Sequence, residues 1–504
     1  MLIWGLPVKR YLSLVNGFVW GAPALLGILG VGLFLTLRLK AVQLRLLPKA
    51  VRQLTGKHGR ETDGISPARA LCTALAATVG TGNLVGVAGA VCLGGPGAVF
   101  WIWVCGFLGM AVKYAETVLA IRYREETREG FTGGPMYVMV RGLGERFCPM
   151  ARVYCVFGIL AAFGVGNGVQ INSAVAGIRG ILDSAGFSLG KEGTLIVGLL
   201  LAAVIGSVLL GGARRIGAAA ESIVPVAAAG YMLLCVTVLI LRRERLPDAL
   251  RDIFTGALSP KAVTGGMIGG AFQALRIGCS RGVFTNEAGM GTASIAHACA
   301  QTDHPVRQGM LGILEVFLDT VVICTLTALA ILVSGVKIPY GTDGGAFLTG
   351  EAFSLVLGNW ARAVIGVFLV AFALATVLGW GLYGGRCAQF LFGQKAWKGF
   401  CIAQLPVIVL SAIGDSAALW QLSETVNGLM AIPNLITLAL LSSEVVALTK
   451  EYTESDGKAV SGGTYANFHQ CKPLRTLSYE KVPPSGYGCQ ERGKKDLSPE
   501  HRSA

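Results

Sequence analysis

Charge is scarce in this sequence. Asp, Glu, Lys and Arg make up 14% of its 504 residues, against 53% hydrophobic residues. A soluble domain carries about 25% charged residues. Two or three soluble domains of this total length would lack the polar surface to stay dissolved. A polytopic membrane protein is implied, in line with a mean hydropathy of +0.61. Reactive constellations are missing as well. The 13 cysteines include no CxxC pair and no Cys/His metal spacing. Cys105, Cys155, Cys235 and Cys324 each sit alone in an apolar run and read as small packing residues. There is no Ser/His/Asp set, metal cluster or phosphate loop, which argues against a membrane-embedded enzyme. Lys9 and Arg10 precede a long apolar stretch with no small-residue cleavage pattern, so no cleavable signal is read. The net charge of +14 would suggest nucleic acid in a soluble chain. Here it is more simply the loop bias that orients membrane proteins.

What the sequence has is apolar runs. Crossing the hydrocarbon takes about 20 residues. Eleven stretches qualify, near 15–38, 69–93, 97–121, 152–180, 194–212, 217–241, 264–299, 310–334, 363–391, 398–414 and 423–448. The expected class is all-α and polytopic, with eleven transmembrane helices. Basic residues crowd the loops after the first and third runs, among them Arg38, Lys40, Arg45, Lys49 and Arg52, then Arg122, Arg124, Arg128, Arg141 and Arg146. Arg214, Arg215, Arg307 and Arg386 fall in later loops of the same parity. That side reads as cytoplasm and the N-terminus as outside, although Arg242, Arg243 and Arg245 lie on the other side. From about residue 451 the composition turns polar, with no apolar period. The stretch 451–504 reads as a disordered cytoplasmic tail.

Two of the apolar runs are interrupted. "AATVGTGNLVG", 76–86, places glycines, threonines and an asparagine at the centre of a membrane-length segment. Glycine loosens a helix, and asparagine prefers caps and turns. One reading is a packing face that lets helices approach closely. The other is a broken helix, which lipid tolerates only where the backbone lines a protein-enclosed cavity. Asn83 and Thr81 beside Gly80 and Gly82 favour the break. "IGCSRGVFTNEAGMGTA", 277–293, behaves alike. Each interruption opens a set of five runs, so the second set begins on the opposite side of the membrane. That is an inverted repeat, 66–242 and 243–450, with a binding site at the midplane between the breaks. Residues 1–65 then supply one extra helix and a connector. A break exposes N–H groups that suit a carboxylate and C=O groups that suit a hard cation or an ammonium. An amino-acid zwitterion with an ion needs both.

"ALAATVGTGNLVGVAGA", "GGPGAVFWIWVCGFLGMAVKYAETVLAIRYRE", "GGPMYVM" and "SRGVFTNEAGMGTASIAHA" resemble the alanine or glycine:cation symporter family over about residues 15–450. The resemblance implies a leucine-transporter-like fold of ten core helices in two inverted repeats. It also implies uptake of alanine, glycine and similar small amino acids coupled to Na⁺, or to H⁺ in some members. Residue by residue it implies that the N–H groups of Thr81 and Gly82 meet the substrate carboxylate, with Thr78 and Asn83 beside them. The carbonyls of Ala76 and Val79 and the hydroxyl of Thr376 would face Na⁺. Gln170 would contact substrate, Phe272 and Gly278 would line its side-chain pocket, and Trp380 would form a wall. Ala375 stands where the family usually has a hydroxyl residue, and Gly385 where it has a glutamate.

Other buried charges are weighed by spacing. Lys113 and Glu116, i and i+3, are expected to pair with each other. Arg281 and Glu287 flank the second interruption as gating or ion-pair residues. Glu221, Glu315, Asp319 and Glu424 are intramembrane acids, functional candidates by default but here read mostly as stabilisers. His297 and His304 read as loop residues at a helix end. The combined reading is a multi-pass symporter of the cell (inner) membrane. It imports small neutral amino acids with Na⁺ by alternating access, with H⁺ coupling as the alternative and a channel less favoured. No nucleic-acid partner is expected.

Overall fold

The computed structural model describes residues 14–17, 22–55, 65–127, 130–258, 270–342, 344–414 and 416–459. Helix dominates throughout. The helices are α1 (Ala22–Arg38), α2 (Val42–Thr55), α3 (Pro67–Thr78), α4 (Gly82–Gly94), α5 (Gly97–Arg122), α6 (Pro135–Leu143), α7 (Glu145–Ser184), α8 (Lys191–Leu209) and α9 (Gly212–Leu241). They continue as α10 (Leu246–Leu258), α11 (Gly270–Asn286), α12 (Thr292–Ala298), α13 (Pro305–Ser334), α14 (Gly345–Leu357), α15 (Trp360–Phe392), α16 (Ala396–Ile413) and α17 (Ser416–Ala459). A short hairpin of β1 (Glu125–Thr127) and β2 (Gly130–Thr132) joins α5 to α6.

Among the described residues, eight helices are long and apolar enough to cross a bilayer, or up to ten spans if each of two bent pairs counts as one. The expected count of eleven is not reached on those grounds. The run at 264–299 divides into α11 and α12, and Arg276, Arg281, Glu287 and His297 dilute its hydrophobicity. Its first residues lie outside the described ones. The last helix also runs past the expected boundary at 451, to Ala459. The rest of the expected tail, 460–504, lies outside the described residues.

Helix packing follows an inverted plan. α5 packs on α13, α7 on α15 and α8 on α16, each against its counterpart five spans along. α3 packs on α12 and α4 on α11, so the two broken helices run antiparallel. This is the inverted repeat expected from the odd number of spans in each set. The α7–α15 contact is backbone against backbone. A Cβ on Gly177 would lie 2.7 Å from Gly366 O, and one on Gly366 would lie 2.6 Å from Gly177 O. Small residues of this kind let helices in lipid gain dispersion contacts that hydrophobicity cannot supply there.

Three spans contain a turn of π-helix: Gly82–Gly86, Ala162–Val169 and Phe317–Cys324. Such turns release a backbone group from the regular ladder and are frequent at functional sites. All three adjoin the first break, as the side-chain contacts below make plain.

Candidate functional site

The first broken helix starts firmly. Ser66 caps α3 by accepting the Arg69 N–H, and Pro67 holds its first turn. The helix stops after Thr78, where Val79 turns to ψ 92°. The N–H of Gly80, which would have closed a turn on Ala76 O, donates instead to Asn83 Oδ1 at 2.9 Å. The Asn83 N–H in turn goes to Gly80 O rather than to Val79 O. The carbonyls of Ala76 and Val79 are therefore released from their usual donors, and the N–H groups of Thr81 and Gly82 have no acceptor among the described residues. The whole turn is buried in protein. The two half-helices meet at 47°.

Side chains from three other spans close on this turn. Thr81 Oγ1 donates to Gln170 Oε1 at 2.8 Å. Gln170 follows directly on the π-turn of α7. A Cβ on Gly80 would sit 2.5 Å from Thr376 Oγ1 and 3.6 Å from Gln170 Oε1. The Thr376 hydroxyl is buried and has no hydrogen-bond partner among the described residues, and neither amide atom of Asn167 on the α7 π-turn has one. Trp380, one turn beyond Thr376 and fully buried, packs against Gly166 of the same π-turn. Asn83 Nδ2 donates to Asp319 Oδ1 at 2.6 Å, and Thr320 Oγ1 donates to Asp319 Oδ2 at 2.8 Å. Asp319 is fully buried, and no described cation pairs with it.

Of the residues singled out in the sequence, Ala76, Thr78, Val79, Thr81, Gly82, Asn83, Gln170, Thr376 and Trp380 thus come together. Two do not. Phe272 is 71% exposed on the outer surface of α11. Gly278 packs against Ala98 and Trp101 of α5. The residues of α11 that reach the first break are Phe284 and Thr285: a Cβ on Gly82 would lie 3.1 Å from Thr285 Cγ2 and 3.5 Å from Phe284 Cδ1. The cause is where α11 breaks. It runs unbroken to Asn286, so the wall that meets the first break lies later than residue 278. In the sequence Asp319 is one of several intramembrane acids. Its partner Asn83 lies far off in sequence, and no local pattern joins them.

The second break spans Glu287 to Gly291, with left-handed φ at Glu287 (54°), Gly289 (94°) and Gly291 (77°). For Glu287 this conformation costs about 1–2 kcal/mol. Here the exposed N–H groups are already taken. Glu116 Oε1 accepts from Gly289 N at 2.9 Å, Gly291 N at 3.1 Å and Asn434 Nδ2 at 2.7 Å. Asn286 Oδ1 accepts the Ala288 N–H. The Thr292 hydroxyl donates to Glu287 Oε2 at 2.5 Å. The expected Lys113–Glu116 pair does not form. Lys113 Nζ instead faces Glu315 at 3.4 Å. Glu315 accepts from His297 Nε2 at 2.9 Å, and Gln308 Nε2 donates to His297 Nδ1 at 2.8 Å. His297 is therefore a buried helical residue, and His304 caps α13 by accepting the Val306 N–H. Arg281 and Glu287 do not meet. Arg281 pairs with Glu424 of α17 at 3.0 Å.

The two family departures take simple places. Ala375 is fully buried. Gly385 leaves room for the Trp397 ring, which a side chain there would strike, and Arg386 stacks near that ring at 5.8 Å.

The model of the sodium:alanine symporter family matches residues 7–464. The chain belongs to that family. The symporter is 44% identical over 447 residues to the sodium/alanine symporter AgcS of Methanococcus maripaludis, covering 87% of this chain and 96% of that one. It is 37% identical over 447 residues to the amino-acid carrier protein AlsT of Bacillus subtilis, covering 88% and 92%. Its fold is similar to that of MhsT in complex with L-phenylalanine, with a TM-score of 0.56 over 76% of this chain and 90% of that one, at 15% identity. The symporter is thus a multi-pass membrane protein of leucine-transporter-like fold. It is a transporter of amino acids rather than an enzyme.

Proposed function

We propose that this symporter imports small neutral amino acids, alanine or glycine, together with Na⁺. The supporting observation is the first break. Within one buried turn it offers the N–H groups of Thr81 and Gly82 without acceptors and the carbonyls of Ala76 and Val79 without donors. An N–H pair at the start of a half-helix suits a carboxylate. Two carbonyls and the unpartnered Thr376 hydroxyl suit a hard cation such as Na⁺. Gln170 Oε1 has a second lone pair for an ammonium, and Thr78 and Asn83 border the turn. Trp380, Phe284 and Thr285 crowd the site, which favours a small side chain. Binding between dipoles avoids the cost of a full protein charge at the membrane centre.

Coupling follows if ion and amino acid stabilise the same closed state. The two repeats, 66–242 and 243–450, then rock against each other by alternating access. Arg281 and Glu424 form a gate on one side of the site, while Glu287 holds the second break in shape. The N-terminus faces outside and the C-terminus the cytoplasm in this reading, which the majority of the basic loops supports.

A second reading has its own support. Asp319 is a buried carboxylate beside the first break with no ion-pair partner among the described residues, so a proton could serve as coupling ion. Uptake of labelled alanine into liposomes under imposed Na⁺ or H⁺ gradients tests both. Accumulation driven by Na⁺ alone supports the first reading. Accumulation driven by H⁺ alone, and lost in Asp319→Asn, supports the second. Alanine moving down its own gradient equally well in choline buffer at fixed pH, with neither ion gradient adding to its uptake, would sink both.

A further inference from the structure

The connector after the first span is a built element with no part in the site above. α1 ends at Arg38, and α2 leaves it at 78°. Lys40 and Ala41 form the corner, both with left-handed φ (54° and 50°) and neither a glycine. The corner is held by Ala41 N donating to Thr36 O, and by Gln43 Nε2 donating to Thr36 Oγ1 and to Phe107 O of α5. If α1 crosses the bilayer, a helix set at 78° to it runs along the membrane surface.

α2 carries three faces. Val42, Leu46 and Ala50, at i, i+4 and i+8, are buried against α5 and α13 in the main core. Leu44, Val51 and Leu54 are exposed on a second face, continuous in kind with exposed Leu33 and Leu37 of α1. Arg45, Lys49 and Arg52, at i, i+4 and i+7, form a third, exposed face. Helical geometry at 100° per residue separates these stripes. The helix contains no Asp or Glu.

We infer that Arg45, Lys49 and Arg52 bind the headgroup phosphates of anionic phospholipids, with Leu44, Val51 and Leu54 seated among the adjoining acyl chains. A helix at the interface with one apolar stripe and one basic stripe matches the two layers of an anionic leaflet. The apolar stripe selects a lipid over a free phosphate, which offers that stripe nothing to bury it. Each Lys or Arg at an anionic surface strengthens association about fivefold.

The test uses the purified full-length protein in detergent, titrated with phosphatidylglycerol or phosphatidylcholine, with retained lipid read by native mass spectrometry. The wild type is expected to retain phosphatidylglycerol preferentially. Arg45→Gln/Lys49→Gln/Arg52→Gln should reduce that preference at least ~10-fold. Arg243→Gln/Arg251→Gln, exposed at the opposite end of the bundle, should not. An unchanged preference in the triple variant overturns the inference, as does displacement of phosphatidylglycerol by millimolar inorganic phosphate. Should the triple variant fail to purify, Arg45→Gln and the salt dependence of the wild type take its place. A preference insensitive to both would overturn the inference as well.

Discussion

The two broken helices pack against each other and occupy equivalent places in the two repeats, yet their exposed peptide groups meet different fates. At the second break a protein carboxylate, Glu116, receives two backbone N–H groups and the Asn434 amide. At the first break no protein carboxylate does so. Among the described residues Asn83 Oδ1 takes only the Gly80 N–H, and Thr81, Gly82, Ala76 and Val79 keep peptide groups without a partner. An exposed N–H in a low-dielectric site costs about 1–3 kcal/mol if nothing binds it. The fold therefore places its own anion at the second break and none at the first, which is the contrast the proposed binding site rests on. A break in a membrane helix is thus by itself an insufficient sign of a binding site; what matters is whether the protein already satisfies it.

That contrast can be broken in several ways. The largest effect is expected from Gly80→Leu. Even a Cβ there would crowd Thr376 Oγ1, so uptake should fall at least ~100-fold, about 2.7 kcal/mol, in a protein that still elutes as a folded species. Normal transport would place the site elsewhere. Glu116→Ala should act on stability instead. It strands three buried donors and should cost several kcal/mol, at about 1–3 per donor, read as a lower melting temperature in detergent. A variant that melts like the wild type but no longer binds alanine would erase the distinction between the breaks. Thr376→Val should weaken Na⁺ activation of uptake about 10- to 100-fold, the loss of one charge-assisted contact. Alanine affinity at saturating Na⁺ should change little. Gln170→Ala should do the reverse by about 10-fold, since it removes one hydrogen-bond acceptor at the substrate side; calorimetric titration separates the two. Arg281→Gln is expected to be mildest. Its pair with Glu424 is nearly buried at one end of the site, and a change of roughly fivefold in exchange rate without a shift in alanine affinity would fit a gate. A shift in affinity alone would make Arg281 part of the binding surface.

Much of the first break could be read from residues close together in the chain. Gly80, Gly82 and Asn83 within four positions announce lost helix, because two lack a side chain to pack and the third can replace a backbone acceptor. The register of the second break was harder. Glycines run from Gly278 to Gly291, and the left-handed turns fall only at the last two and at Glu287. That displacement puts Phe284 and Thr285 on the first break and leaves Phe272 outside. Lys113 and Glu116 show the limit of local spacing most clearly. Three residues apart on one helix, they favour each other in isolation. In the folded chain each is drawn to a stronger partner: Lys113 to a buried carboxylate that would otherwise be stranded, and Glu116 to a cluster of N–H donors.

The sequence by itself determined the solvent this chain folds in, the inverted-repeat class of its fold, and the place where the first helix comes undone. These depend on composition and on neighbours within a turn or two. Only the tertiary structure decided which peptide groups stay unsatisfied, that Asp319 stands beside Asn83, and that Glu116 fills the second break. Those outcomes depend on which distant side chains the packed helices bring to an exposed dipole, and that is fixed by helix packing rather than by any spacing along the chain.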